Sequence, residues 1–116
     1  MLKSAQARDA IALWRTAFPE FSAHPPEPPE MLWRLSLGGQ DFTLLESPIP
    51  HDFGPTPAWS FMVALDKGSE VDRIHGVLAD GGGRTLMAPD AYDFASRFAW
   101  VEDRFAISWQ LKVDTL

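Results

Sequence analysis

WVEDRFAISWQL, residues 100–111, is the stretch whose reading decides the fold. Phe98, Trp100 and Val101 lead into Glu102-Asp103-Arg104, and Phe105, Ile107, Trp109 and Leu111 then alternate with Ala106, Ser108 and Gln110. That order reads as strand, turn, strand, and the period of two marks a strand with unlike faces. One face is large and apolar, as if packed on helices. The other is small and polar, as if lining a cavity. A solvent-facing strand produces the same alternation and is the commoner cause of it.

Working outward, the chain has 116 residues, a length that fits one domain with one sizeable core. Its five Trp and eight Phe point to aromatic-rich packing. The formal net charge of −6, with only ten scattered basic residues, argues against a nucleic-acid surface, which needs clustered Lys and Arg. The chain has no Cys, which excludes disulfides, thiolate metal ligands and a cysteine nucleophile. No apolar run approaches the roughly 20 residues of a membrane span. The opening MLKSAQARDA lacks the apolar core of a signal peptide. A cytoplasmic protein with no membrane or nucleic-acid partner is the expectation.

From Ala5 to Phe18 the apolar residues Ala10, Leu13, Trp14, Ala17 and Phe18 fall at helical spacing, and Pro19 ends the pattern. Pro25, Pro26, Pro28 and Pro29 then favour an extended connecting loop, in which His24 reads as a solvated residue. Leu32–Leu37 alternates Leu32, Arg34 and Ser36 imperfectly against Trp33, Leu35 and Leu37, and Gly38-Gly39 supplies a tight hairpin into Gln40–Leu45. A second Pro-rich segment, 47–57, carries His51, Asp52 and Phe53. His51 beside Asp52 forms an acid/base candidate, although adjacent residues rarely point at one substrate.

Ala58–Leu65 reads as a strand with Trp59, Phe61, Val63 and Leu65 on one face and Ser60, Met62 and Ala64 on the other. Ser69 is a candidate N-cap, with Asp72 completing a capping-box-like pair. Val71, Ile74, Val77 and Leu78 stripe the helix that follows, with His75 beside the stripe in a structural role. Gly81-Gly82-Gly83 comes after a helix and before the strand at Arg84–Met87, the reverse of a phosphate-cradling order, so it reads as a helix end and turn. Pro89–Asp93 reads as a short loop. The second half is therefore strand, helix and three strands. The first half matches it if a strand precedes the first helix, although no residue-level repeat is visible.

With those residues in place, FMVALDKGSEVDRIHGVLADGG and FAWVEDRFAISWQL resemble the PhnB-like proteins, as do LSLGGQDFTLLE and AIALWRTAFP in the first half. That group carries the label 3-demethylubiquinone-9 3-methyltransferase domain and lies within the glyoxalase/bleomycin resistance, or vicinal oxygen chelate, superfamily. The resemblance covers most of the chain. It implies an α+β fold of paired βαβββ modules whose curved sheets form a cup with helices outside. The first module is expected at about 1–46, the Pro-rich connector at 47–57 and the second module at about 58–116. The resemblance also sends Phe105, Ile107, Trp109 and Leu111 toward the helices, and Ala106, Ser108 and Gln110 toward the cup.

In metal-dependent relatives several strands present His, Glu or Gln to a divalent ion. By resemblance, Gln110 stands at the last-strand ligand position, and Ser60 stands where a His opens the second module. Thr43 and Glu46 both lie near the remaining position, and the first-strand ligand has no counterpart. Hydroxyl and amide oxygens are weak ligands for zinc-type ions, so the metal set reads as incomplete. S-adenosylmethionine is not expected, because no Gly-rich strand-to-helix turn with a following acidic residue is present. Ala99 and Ala106 replace residues that tend to be Gly in relatives, and Ala106 constrains its turn if that turn needs positive φ.

The first strand of the first module is expected to be missing, and the strand after the first helix replaced or shortened by prolines. Either the start lies upstream or an edge has been lost. An uncovered sheet edge invites a second chain, which makes a homodimer the expected assembly. The functional expectation is a small-molecule-binding protein using Ser60, Met62, Ser108, Gln110, His51 and Phe53, without a complete metal site. The alternative is a lyase, isomerase or dioxygenase-type enzyme acting through His51 or Glu46, with or without a metal.

Overall fold

The computed structural model describes residues 2–3, 6–27, 32–47 and 54–113. They form two compact units, 1–54 and 55–116. In the first unit β1 (Leu2–Lys3), α1 (Ala7–Ala17), β2 (Ser22–His24), β3 (Leu32–Leu37) and β4 (Gln40–Ser47) follow in order. The second repeats that order with β5 (Phe61–Ala64), α2 (Gly68–Ala79), β6 (Arg84–Tyr92), β7 (Ala95–Glu102) and β8 (Ser108–Val113). Their sheets are wired alike, β1-β4-β3-β2 and β5-β8-β7-β6. Each is a βαβββ unit in which the first and last strands pair in parallel.

The first unit corrects the expectation of a missing first strand. Two residues in front of α1 pair with β4, Leu2 with Glu46 and Lys3 with Ser47. The strand after α1 survives as three residues before the prolines take over. α1 buries Ala7, Ala10, Ile11, Leu13, Trp14 and Ala17. Its last turn closes with the Phe18 N–H donating to the Trp14 carbonyl at 2.7 Å, just before Pro19. Trp14 meets Phe21 edge-on at 5.9 Å between centroids, and Phe21 meets Phe42 at 6.3 Å. The Arg8 guanidinium lies 5.3 Å from the Trp33 ring centroid. α1 therefore covers the β3–β4 face that buries Trp33, Leu35 and Leu44. Gly38 and Gly39 turn the hairpin with φ of +60° and +79°, the left-handed pair that suits a tight two-residue turn.

In the second unit α2 buries Val71, Ile74 and Leu78 against a sheet face carrying Ala99, Val101, Trp109 and Leu111, all buried. Enclosing each larger side chain in such a core stabilises the fold by about 1.5–3 kcal/mol. Asp72 accepts from Arg97 of β7 at 3.0 Å and His75 meets Thr85 of β6 at 2.8 Å, which fixes the covered side of the sheet. The expected Ser69 cap is corrected. The helix starts at Gly68 with Lys67 at its N-cap and no side-chain cap bond. A Cβ on Gly68 would lie 3.3 Å from Arg97 Cγ, so close approach to β7 sets the entry and Asp72 is turned toward Arg97.

Two further segments differ from the expected pattern. Pro89–Asp93 is not a loop, because β6 continues to Tyr92. β6 is an edge strand, where a missing N–H is tolerated, and its register with β7 shifts at three points on the way. Phe105 and Ala106 belong to the turn rather than the strand, and regular pairing resumes with Ser108 opposite Glu102. Among the described residues no helix is long and apolar enough to cross a membrane.

Candidate functional site

The signature stretch acts first as a structural clamp. Asp103 is 2% exposed. Its Oδ1 accepts from the Phe105 and Ile107 N–H groups at 2.9 and 3.0 Å, and its Oδ2 accepts from the Trp109 indole at 3.0 Å. The Ala106 N–H closes the turn onto the Asp103 carbonyl at 2.9 Å. Ala106 has φ +66°, the conformation expected if Gly were the easier residue there. One carboxylate thereby sets the β7–β8 register and sends Ser108 and Gln110 to the face away from α2.

On that helix-free face the register sets Met62 and Trp100 on either side of Gln110. The Gln110 amide donates to Ser60 Oγ at 2.6 Å. The Trp100 indole donates to Ser108 Oγ at 2.6 Å, and Arg84 pairs with Glu102 at 3.0 Å. Met62 stands out at 58% exposed. Phe98 ends the face under Tyr92 and Phe94, at 5.9 and 4.8 Å between centroids. Of the expected ligand-binding residues, the fold brings Ser60, Met62 and Gln110 together. Ser108 joins the same face but is buried, its hydroxyl held by Trp100. His51 and Phe53 lie outside the described residues, as does the Glu46 side chain.

A divalent cation, which the fold family implies, is not matched by these donors. Gln110 and Ser60 are bonded to each other, and among the described residues no three of His, Cys, Asp and Glu gather as a metal group. His75 faces the covered side, where partial burial lowers its pKa from the usual 6.5 and nearby Asp72 acts in the opposite sense.

The first unit holds a polar surface that the sequence reading passed over. Register places His24, Arg34 and Thr43 in one row across β2, β3 and β4, and Ser22, Ser36 and Asp41 in the next. Both rows lie on the face away from α1. An open cleft of about 360 Å³ stands over them, with Leu35 and Phe42 contributing to its lining. His24, read as a loop residue, is in fact the last residue of β2. The signal for the rest was the alternation of Arg34 and Ser36 against Trp33 and Leu35.

With the geometry in place, comparison with known proteins identifies the family. The model of the family described as 3-demethylubiquinone-9 3-methyltransferase matches residues 4–112, nearly the whole chain. The chain belongs to this family. A PhnB protein from Bacillus cereus, described as a putative 3-demethylubiquinone-9 3-methyltransferase, is 27% identical with a TM-score of 0.81, covering 97% of this chain and 95% of its own. A Pseudomonas aeruginosa protein also reaches 0.81 at 21% identity, with 97% and 93% covered. A glyoxalase/bleomycin resistance protein/dioxygenase family enzyme from Burkholderia phytofirmans reaches 0.74 at 13%, with 98% and 94% covered, and shares the fold. No curated protein matches the chain.

The 3-demethylubiquinone-9 3-methyltransferase family name implies S-adenosylmethionine, and the glycines do not form a cradle for it. Gly81 and Gly82, at φ +72° and +112°, turn the chain out of a helix C-terminus into β6. A Cβ on Gly83 would lie 2.6 Å from the Leu78 carbonyl, so this glycine packs on its own helix end. Glycines that leave a helix in this way present no helix N-terminus to an anionic or sulfonium cofactor.

Proposed function

We propose that this member of the family is a small-molecule-binding protein that takes its ligand on a helix-free sheet face, without a complete metal site and without S-adenosylmethionine. The observation that carries the reading is Met62, more than half exposed, directly beside Gln110 on the second sheet. A flexible apolar side chain next to an amide anchored by Ser60 suits a partly apolar ligand bearing one hydrogen-bonding group. Trp100 flanks Gln110 on its other side and supplies aromatic area for stacking.

The alternative, a lyase, isomerase or dioxygenase-type reaction, would draw on His51 or Glu46. Metal analysis of the purified protein separates the two. Stoichiometric Zn, Mn, Ni or Fe would sink the metal-free reading. A metabolite screen read by tryptophan fluorescence tests the site itself. A hit should quench or shift the emission, and Met62→Glu should weaken it about tenfold by placing a charge in apolar contact. A hit indifferent to Met62→Glu and to Gln110→Ala would move the ligand off this face.

We also propose a cytoplasmic homodimer without nucleic-acid or membrane partners. β1 pairs only with Glu46 and Ser47, so the outer edge of β4 from Gln40 to Leu45 has no strand beside it among the described residues. Light scattering that returned the mass of a single chain would remove the dimer.

A further inference from the structure

We propose that Met62 is a reversible oxidation site, its thioether taking one oxygen from a peroxide to become a sulfoxide that the neighbouring Gln110 amide holds. Met62 is 58% exposed, more than any other large apolar side chain among the described residues. A peroxide must reach the sulfur lone pair, so an exposed thioether reacts ahead of a covered one. Met87, opposite Trp100 in the β6–β7 register, is only partly exposed. The chain has no Cys to compete for the oxidant.

Register supplies a second observation. Met62 and Gln110 are partners across β5 and β8, and neighbouring strands lie about 4.8 Å apart. The Gln110 amide donates one N–H to Ser60 Oγ at 2.6 Å, a bond that fixes its orientation. A side-chain amide carries two N–H donors, so one remains beside Met62. The thioether is a weak acceptor and leaves that donor to water, whereas a sulfoxide oxygen takes it. The oxidation step balances without a further reactant. The sulfur lone pair attacks one peroxide oxygen, an S–O bond forms and the O–O bond breaks. Sulfur gives up two electrons and the peroxide gains them. The proton on the transferred oxygen passes to the departing hydroxide, which leaves as water. Methionine sulfoxide reductases return the thioether, one enzyme for each sulfoxide epimer. The oxidised side chain is polar where the reduced one is apolar, so the state of Met62 changes what this face offers. Its effect on ligand choice rests on the proposed binding role; the modification itself does not.

The test treats the full, unliganded chain with hydrogen peroxide and follows its methionines by peptide mass spectrometry. Met62 should gain about 16 Da, the mass of one oxygen, several-fold faster than Met87, and the two reductases with dithiothreitol should remove it. In NMR spectra of the same samples, the Gln110 side-chain amide signals should move on oxidation and return on reduction. Identical treatment of Met62→Leu should leave those signals in place. Met62→Leu keeps an apolar side chain at an exposed position, so it folds, and its untreated spectrum verifies this. Equal rates at Met62 and Met87, or an adduct that the reductases do not remove, would overturn the proposal. So would Gln110 signals that stay still in the oxidised native chain or move equally in oxidised Met62→Leu. No ligand takes part, so a failed metabolite screen would leave this outcome standing, and failure here would leave the face free to bind one.

Discussion

The two units have the same strand order and sheet wiring, but their hairpins are turned by different chemistry and their open faces are finished differently. β3 and β4 are joined by Gly38-Gly39, where backbone freedom alone makes the turn. β7 and β8 are joined across Asp103, whose carboxylate gathers two backbone N–H groups and the Trp109 indole. On the second sheet Gln110, Ser60, Trp100 and Ser108 are bonded pairwise, and the feature left prominent is Met62. On the first sheet the His24–Arg34–Thr43 row lines an open cleft. A shared frame can therefore present an exposed methionine among paired polar groups in one copy and a row of polar and charged side chains in the other. The turn chemistry shows which copy depends on a single side chain for its register.

The largest expected effect tests that dependence. Asp103→Ala leaves the Trp109 indole and two N–H groups without their acceptor in a buried site, which should cost about 3–5 kcal/mol in a urea melt. Asp103→Asn should fall below that, since its carbonyl can still accept from the turn while its amide opposes the indole N–H. A loss under about 1 kcal/mol for Asp103→Ala would show that the β7–β8 register is held elsewhere.

A second variant probes the end of α2. Gly83→Ala places a Cβ 2.6 Å from the Leu78 carbonyl and 2.8 Å from Ala79 Cα. Both obstacles are backbone, so the chain must shift, at a cost of about 1–3 kcal/mol. Gly39→Ala meets nothing within 4 Å, and its penalty comes from φ +79° alone, about 1 kcal/mol. If the two variants lose equal stability, steric crowding at Gly83 is not the controlling factor.

Ala106→Gly should act in the opposite direction. Relief of a left-handed alanine at φ +66° should stabilise by up to about 1 kcal/mol, or about 4 °C in Tm, after the added freedom of glycine in the unfolded chain is deducted. A lower Tm would mean that the Ala106 methyl contributes packing worth more than its strain.

Much of the fold was legible because periodicity reports burial directly. Trp109 and Leu111 against Ser108 and Gln110, Trp33 and Leu35 against Arg34, and Gly38-Gly39 between two strands all say which side is inside. What periodicity cannot carry is tertiary or very short. β1 has two residues and β2 three, too few to alternate, which is why His24 was read as loop. Ser69 looked like a cap because nothing local announces the Arg97–Asp72 pair or the close approach of Gly68. Pro89 looked like a break because edge position is a property of the assembled sheet. Asp103 read as a turn residue, but its three-way acceptor role requires Trp109 to fold back over it. The cleft on the first sheet needed the register of three strands at once.

The smallest effect concerns His75, which α2 lays on the covered side of the second sheet, in contrast to His24 at the end of β2. His24 stands on the open face of the first sheet, whereas His75 lies on the covered side of the second, with Thr85 at 2.8 Å and Asp72 the charged group acting on it. Partial burial lowers the His75 pKa in the folded protein from the usual 6.5, and Asp72 only partly offsets this. As pH falls through 6.5 the unfolded chain therefore takes up the proton first. The contribution of neutral His75 to stability is complete above 6.5 and is lost progressively as pH drops from there to the depressed folded value. Tm followed from pH 7.5 to 5 should fall more steeply for the native chain than for His75→Gln, which cannot titrate. Parallel slopes for the native chain and His75→Gln would show that the covered side of the second sheet is not where the pH sensitivity resides.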